Sequence, residues 1–261
     1  MASDSNLDRV REIFEVESSR HDLQGVMGVA SFRLVHDALF PVQRRLLEEV
    51  SGERFTSLME GGSIISIAYA YPRHAIETIA VKRGDGYDMD RWNVYAKEYK
   101  RLNDALDETA ARLAIEIGGI ALPATVMDIA SEINRVEDYY SMAVSHRVAA
   151  EQSGIGWRGK NELIVNPRHS CAIRLASVVT DLALERTTPT QMGCGNCRAC
   201  LDACPILGSK DRLENYREQC RRYMVSLDLD GDVCGKCVKA CVNSPVFTSS
   251  KGLESPDHPI A

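Results

Sequence analysis

The chain has 261 residues, 44% of them hydrophobic and 26% charged, which is enough to bury a sizeable core and excludes a disordered tail or a miniprotein that needs staples. Lys plus Arg number 31 against 37 Asp plus Glu, a formal charge of −6, so a uniformly basic nucleic-acid binder is excluded while a local basic patch is not. The most apolar stretch, Ser63–Tyr71, is far shorter than the roughly 18 to 20 residues of a bilayer span, and the first residues lack a basic region followed by an apolar one; no membrane association and a cytoplasmic location are expected.

Residues 7–20 and 42–50 have the apolar spacing of short helices, the second with Pro41 near its start, where a missing N–H costs little. Between them Gly25-Val-Met-Gly-Val-Ala30 reads as a strand. Ser63–Tyr71, rich in β-branched residues, uncharged and ended by Pro72, reads as a buried strand. The longest helical signal runs from about Asp88 to Ile117. Trp92, Tyr95, Tyr99, Leu102, Leu106, Ala110, Leu113 and Ile117 recur there at spacings of three and four, a stripe that reads as core packing, and Gly118-Gly119 supplies the stop. A strand over 120–127, a helix over 146–152 and strands at Leu163–Val165 and Ala172–Thr180 complete this region. The mixture predicts an α+β or α/β domain over 1–185. After Leu184 the chain turns polar and then cysteine-rich with few large apolar residues, so 186–247 is expected to fold around metal centres, and 248–261 to be a loose tail.

Eight of the nine cysteines fall between Cys194 and Cys241, and in a reducing compartment such crowding points to ligation rather than disulfides. Cys194-x-x-Cys197-x-x-Cys200-x-x-x-Cys204-Pro205 is the run by which bacterial ferredoxins bind 4Fe-4S clusters, with the cysteine before proline serving the other cluster. Cys220, then thirteen residues, then Cys234-x-x-Cys237-x-x-x-Cys241 repeats the final geometry with a stretched first gap. Crossing over as in ferredoxins, one cluster takes Cys194, Cys197, Cys200 and Cys241, and the other Cys220, Cys234, Cys237 and Cys204. Zinc bound by paired C-x-x-C motifs is the competing reading. Cys171 stands apart in a strand-like setting and reads as a buried thiol, with a place beside a redox cofactor as the alternative.

Two one-electron centres joined to a larger domain imply a terminus there: a second cofactor, a substrate, or both. The most distinctive segment of that domain is Ser153-Gly-Ile-Gly-Trp-Arg-Gly-Lys-Asn161. Gly154, Gly156 and Gly159 let a backbone come close to a large ligand, and Arg158 and Lys160 can meet phosphate or carboxamide groups; an ordinary tight turn is the plainer reading.

His146-Arg-x-Ala-Ala-Glu-x-Ser-Gly-Ile-Gly-Trp-Arg-Gly-Lys-Asn161, followed by Leu163-Ile-Val, Ser170, Leu175–Leu184, the cysteine run to Pro205 and Cys220-Arg-Arg-Tyr-Met-Val-Ser, resembles the epoxyqueuosine reductase family over about residues 25–245. The resemblance implies a nitroreductase-like cobalamin-binding domain followed by a ferredoxin-like domain with two 4Fe-4S clusters, an architecture shared with reductive dehalogenases. It further implies base-off cobalamin reduced to Co(I) by a cluster, with Gly154, Gly156, Trp157, Arg158, Gly159, Lys160, Asn161 and Ser170 as its contacts. The family's catalytic Asp lies fourteen residues before the first glycine of the loop; that position here is Tyr140, with Asp138 close by, so Tyr140 or Asp138 is expected to supply the proton. The family's helical-repeat region has no counterpart after Cys241, and with the acidic overall charge this weighs against a firm grip on tRNA.

The resulting expectation is an iron–sulfur oxidoreductase, served by an external low-potential electron donor, acting on an electrophilic substrate that includes epoxyqueuosine in tRNA among its candidates. The alternatives are a dehalogenase-like small-molecule reductase and an electron-transfer or corrinoid-handling protein serving a partner.

Overall fold

The computed structural model describes residues 2–125, 134, 135, 138 and 145–248. Its strands are β1 (Gly25–Ser31), β2 (Ser63–Ala70), β3 (Lys82–Arg83), β4 (Gly86–Tyr87), β5 (Ile120–Leu122), β6 (Trp157–Arg158), β7 (Ile164–Val165) and β8 (Ile173–Thr180). The most apolar run of the sequence becomes an interior strand. β2 pairs antiparallel with β1 on one side and β8 on the other, and β8 also pairs antiparallel with β5, giving the sheet order β1-β2-β8-β5. In the register Ile65 lies opposite Val29 and Val178. With every pair antiparallel, the alternatives left open by the sequence resolve to α+β.

Alternation along β2 feeds two faces. Ile65, Ile67 and Tyr69 join Leu102, Leu106, Ala110 and Leu113 of α6 (Met89–Ile117) and Leu7, Val10 and Phe14 of α1 (Ala2–Arg20) in the main core. Ile64 turns the other way, onto Phe32 and Val35 of α2 (Phe32–Ala38), Leu47 of α3 (Pro41–Ser51), Leu58 of α4 (Phe55–Gly61) and Ala149 of α7 (His146–Gln152). The sheet is thus covered by helices on both faces. Each fully buried aliphatic side chain here contributes about 1.5–3 kcal/mol.

α6 follows its sequence signals closely. The Asp88 carboxylate caps it by accepting from the Arg91 N–H at 3.1 Å, and Gly118, at φ 64°, ends it in the left-handed conformation. The strand expected over 120–127 is shorter: β5 ends at Leu122, residues 123–125 are not strand, and 126–127 lie outside the described residues. Short helices not anticipated from the sequence are α2, α4 and α5 (Arg73–Thr78); at six or seven residues each they offer too little periodicity to stand out.

The cysteine-bearing segment carries α8 (Ala199–Asp202), α9 (Pro205–Gly208), α10 (Tyr216–Ser226), α11 (Lys236–Val242) and α12 (Pro245–Thr248). It packs into the main core, where Val233 and Val238 share a cluster with Trp92 and Tyr95. Polar clasps add to this: Lys239 Nζ donates to the carbonyls of Glu77 at 3.0 Å and Ile79 at 2.7 Å, and Arg73 donates to Asn243 Oδ1 at 2.8 Å. Residues 249–261, most of the expected tail, lie outside the described residues. Among the described residues no helix is long and apolar enough to cross a membrane.

Candidate functional site

Cys200 sits on α8, Cys204 caps α9 just before Pro205, Cys220 lies on α10, and Cys237 and Cys241 lie four apart on one face of α11. Electrostatic neighbourhood sorts the thiols. Burial pushes Cys200 up to about 11, with Cys241, Cys194 and Cys197 adding to the rise. Burial likewise pushes Cys220 up to about 12, seconded by Cys234 and Cys204. Cys237, also raised first by burial, feels Cys234, Cys220, Cys204 and, more weakly, Cys200. Cys200 thus feels Cys241, Cys194 and Cys197, the first thiol group, while Cys204, Cys220, Cys234 and Cys237, the second, share the wall of one cavity. Burial makes Cys200, Cys220, Cys234 and Cys237 resist ionisation until a cationic centre arrives to balance them. Among the described residues no group of three or more His, Cys, Asp or Glu closes on a single-ion site.

Cys171 is buried, as expected, but not isolated. Its thiol stands against Cys241, which together with burial pushes Cys171 well up, while the S–H it offers holds Cys241 down. Asn161 Nδ2 donates to Cys171 Sγ at 3.3 Å. The Ser170 hydroxyl, buried and without a hydrogen bond of good geometry, faces the same Cys241 thiol. Spacing in the sequence gave no sign of this neighbourhood.

The loop from Gly154 to Asn161 uses its glycines for close approach to its own chain. A Cβ on Gly154, at φ 73°, would stand 2.2 Å from the Thr188 carbonyl oxygen, and one on Gly156 would stand 2.2 Å from that of Val165. Gly159 N–H donates to the Leu163 carbonyl at 2.8 Å and closes the turn. Arg158 pairs with Glu151 at 2.9 Å. Lys160 Nζ donates to the carbonyls of Gly195 at 2.7 Å and Cys197 at 2.9 Å, and the Trp157 indole N–H donates to Cys194 Sγ at 3.4 Å. The loop thus meets the first thiol group directly.

A cavity of about 350 Å³ lies between β8 and the second thiol group, all four of whose cysteines help to wall it. Tyr71 and Tyr95, stacked at 4.9 Å between ring centroids, form one wall. Burial raises Tyr71 to about 12, so its hydroxyl stays protonated, and it has no hydrogen bond of good geometry. Arg174 lies 4.3 Å over the Tyr99 ring and donates to Asn103 Oδ1 and the Thr125 carbonyl, each at 2.8 Å. These aromatics belong to the stripe and strand end that read as plain core; the paired positions of Tyr71, before Pro72, and Tyr95 became visible only once the helix lay on the sheet.

Of the expected proton donors, Tyr140 lies outside the described residues. Asp138 accepts from the backbone N–H groups of Arg135 at 2.9 Å and Asn134 at 3.1 Å, and these hold its carboxyl below the usual carboxylate range. It does not line the cavity. A residue missed by sequence reasoning is Lys236, between Cys234 and Cys237, whose Nζ donates to Tyr87 at 3.1 Å and to the Tyr223 hydroxyl, a fixed cation beside the second group. Another is Trp92, whose indole N–H donates to the Cys234 carbonyl at 2.8 Å.

No protein-family model matches the chain. The epoxyqueuosine reductase of Listeria monocytogenes is 32% identical over 197 residues, 67% of this chain and 48% of the relative. That of Bacillus anthracis is 26% identical over 217 residues, 76% of this chain and 50% of the relative. The solved structure of epoxyqueuosine reductase from Streptococcus thermophilus aligns over 96% of this chain and 67% of that chain, at 21% identity and a TM-score of 0.46. The chain spans about half the length of the curated relatives it matches.

Proposed function

The chain is a sequence relative of the epoxyqueuosine reductases, and from that premise we propose that it is an iron–sulfur oxidoreductase. In this reading the two groups of four thiols each hold a 4Fe-4S cluster and carry electrons from an external low-potential donor to the cavity. The supporting observation is that Cys204, Cys220, Cys234 and Cys237 converge on one cavity wall, beside Cys200 and its neighbours Cys194, Cys197 and Cys241. Eight thiols so arranged match the donor set of two cubane clusters.

The same reading places cobalamin at the cavity. Apolar and aromatic surface suits the flat face of a corrin, and Tyr71, Asn161 and Arg174 supply polar edges for its amide rim. When bound, the group supplies a strongly reducing cobalt centre. The residues of the 154–161 loop, except Asn161, do not line the cavity, so its glycines act on the site through the chain's own packing. What the protein contributes is shape and proton control: Tyr71 Oη keeps its proton through neutral pH at the cavity wall, and the Tyr71–Tyr95 stack excludes water behind it.

Epoxyqueuosine in tRNA is the first substrate to assay. The sequence offers Arg158, Lys160, Arg168 and Arg174 as a local basic set; three are engaged within the chain and only Arg168 is exposed, which gives phosphate little to grip there. The test begins with anaerobic reconstitution and measurement of iron and acid-labile sulfide, followed by an absorbance titration with cobalamin and a low-potential reductant. Iron and sulfide in equal amounts, a base-off spectrum and turnover of modified tRNA support the whole reading. Zinc without sulfide overturns it; clusters without cobalamin binding leave an electron carrier; cobalamin reduction without tRNA turnover shifts the substrate to a small electrophile.

A further inference from the structure

The chain contains two tryptophans, and both direct the indole N–H at a cysteine of a thiol group. Trp92 donates to the Cys234 carbonyl at 2.8 Å; Trp157 donates to the sulfur of Cys194 itself, at 3.4 Å. The indole N–H is a donor only, and sulfur is a weak acceptor that strengthens when it carries charge.

We propose that Trp157 is a positioning residue that raises the reduction potential of the cluster held by the first thiol group, through its N–H hydrogen bond to Cys194 Sγ. The proposal rests on the cluster reading given above. Reduction adds negative charge to a cluster and spreads it onto the thiolate sulfurs, so a hydrogen bond to sulfur stabilises the reduced form more than the oxidised one. The bond is built, not incidental. Trp157 is buried and sits in β6, paired with Val165 of β7. Gly156 is pressed against the Val165 backbone, so the strand cannot slide away. Three residues after Trp157, Lys160 holds the carbonyls of Gly195 and Cys197, fixing the thiol-bearing loop beside the indole. Trp92 has no such reach, since its acceptor is a peptide oxygen.

Trp157→Phe keeps the ring and removes the N–H. In an anaerobic redox titration of the reconstituted protein followed by electron paramagnetic resonance, the midpoint of one cluster is expected to fall while the other stays. Trp92→Phe, measured alongside, is expected to lower thermal stability and leave both midpoints in place. Unchanged midpoints in Trp157→Phe, or an equal shift of both clusters, overturn the proposal. Should Trp157→Phe fail to assemble, the wild-type protein labelled with ¹⁵N in its indoles decides: a nitrogen coupling on one reduced-cluster signal supports the bond, and none on either overturns it. Wild-type protein that assembles no cluster defeats the cluster reading, whereas intact clusters with an unmoved midpoint defeat only the role of Trp157.

Discussion

Replacing Gly235 by Ala should damage the second thiol group more than any other glycine substitution in the cysteine segment. Gly235 lies between Cys234 and Cys237 at φ 75°, and a Cβ there would stand 2.7 Å from Tyr95 Cε1 and 2.8 Å from Ile79 Cδ1. Neither neighbour can yield: Ile79 is fully buried, and Tyr95 is buried and stacked on Tyr71. The left-handed backbone costs a Cβ-bearing residue about 1–2 kcal/mol, and overpacking a closed wall costs about 1–3 kcal/mol more. The sum, about 2–5 kcal/mol, corresponds to a fall on the order of 5–15 °C in the thermal midpoint of a chain this size. Two controls separate the contributions. Gly195, at φ 47° with open space around the would-be Cβ, isolates the backbone part; Gly231, which meets nothing and carries no positive φ, should be near neutral. The assay is thermal unfolding of the reconstituted proteins side by side, with iron content. A Gly235→Ala midpoint no lower than that of Gly195→Ala would refute the argument from the Tyr95–Ile79 wall.

His146 is buried with Nε2–H donating to the Pro123 carbonyl at 2.7 Å and Nδ1 bonded to Ser177 Oγ at 2.9 Å, and burial lowers it to about 4. Because the folded state disfavours protonation, the stability this residue gives is complete above about pH 6.5 and is lost as pH falls toward 4, up to about 3 kcal/mol. Thermal midpoints of wild type and His146→Asn across that range should diverge in slope; parallel profiles would rule the residue out. Lys160→Met removes two bonds to the 194–197 loop and should speed iron loss to a chelator by about 5–30-fold, corresponding to about 1–2 kcal/mol for a partly exposed cation; an unaltered rate counts against the brace. Tyr71→Phe, which removes the protonated hydroxyl at the cavity wall, should abolish turnover while sparing cluster content, and full activity in that variant would end its proton-control assignment. Removing iron should redden the fluorescence of both tryptophans, since Trp92 and Trp157 touch Cys234 and Cys194, yet leave most far-ultraviolet dichroism, because the sheet and α6 have their own core. Collapse of the dichroism would show that the α+β region depends on the metal.

Signals that are local and repeated carried over from sequence to structure. The stripe from Trp92 to Ile117 and the stop at Gly118 define α6, and the apolar run from Ser63 defines β2 with its partners on both sides. Cysteine spacing, read with a ferredoxin-like crossover, suggested two groups of four, and one of those sets, Cys204, Cys220, Cys234 and Cys237, shares a cavity wall. Long-range polar contacts left no such trace. Nothing in the residues near Trp157 announces a hydrogen bond to a sulfur 37 positions away, nor does Cys171 announce Cys241. The glycine-rich loop shows a subtler limit: the close approach it permits was legible, but the partner, Thr188 and Val165 of its own chain, was not. Tyr71 and Tyr95 satisfied a core pattern and a site wall equally well, and periodicity does not separate the two.

The placement of the two groups also gives the proposed electron path a direction. The cavity is walled by all four cysteines of the second group, whereas none of Cys194, Cys197, Cys200 or Cys241 lines it. Cys237 responds to Cys200, so the groups adjoin. The first group instead meets the Trp157–Asn161 loop and the half-buried stretch of Cys194 and Cys197. In the proposed path the second group is the one that would hand electrons to the cavity, since it alone forms part of the wall. Each group has its own lever on potential: an N–H to sulfur in the first, and in the second the Lys236 ammonium pinned by Tyr87 and Tyr223. A fixed cation favours the more negative state just as a hydrogen bond does, so under the proposed cluster reading both centres would be held from falling too low to accept an electron. What distinguishes them is reach, because the bond at Cys194 acts on one sulfur of one cluster while the ammonium acts through space on everything near the cavity mouth, a bound substrate included.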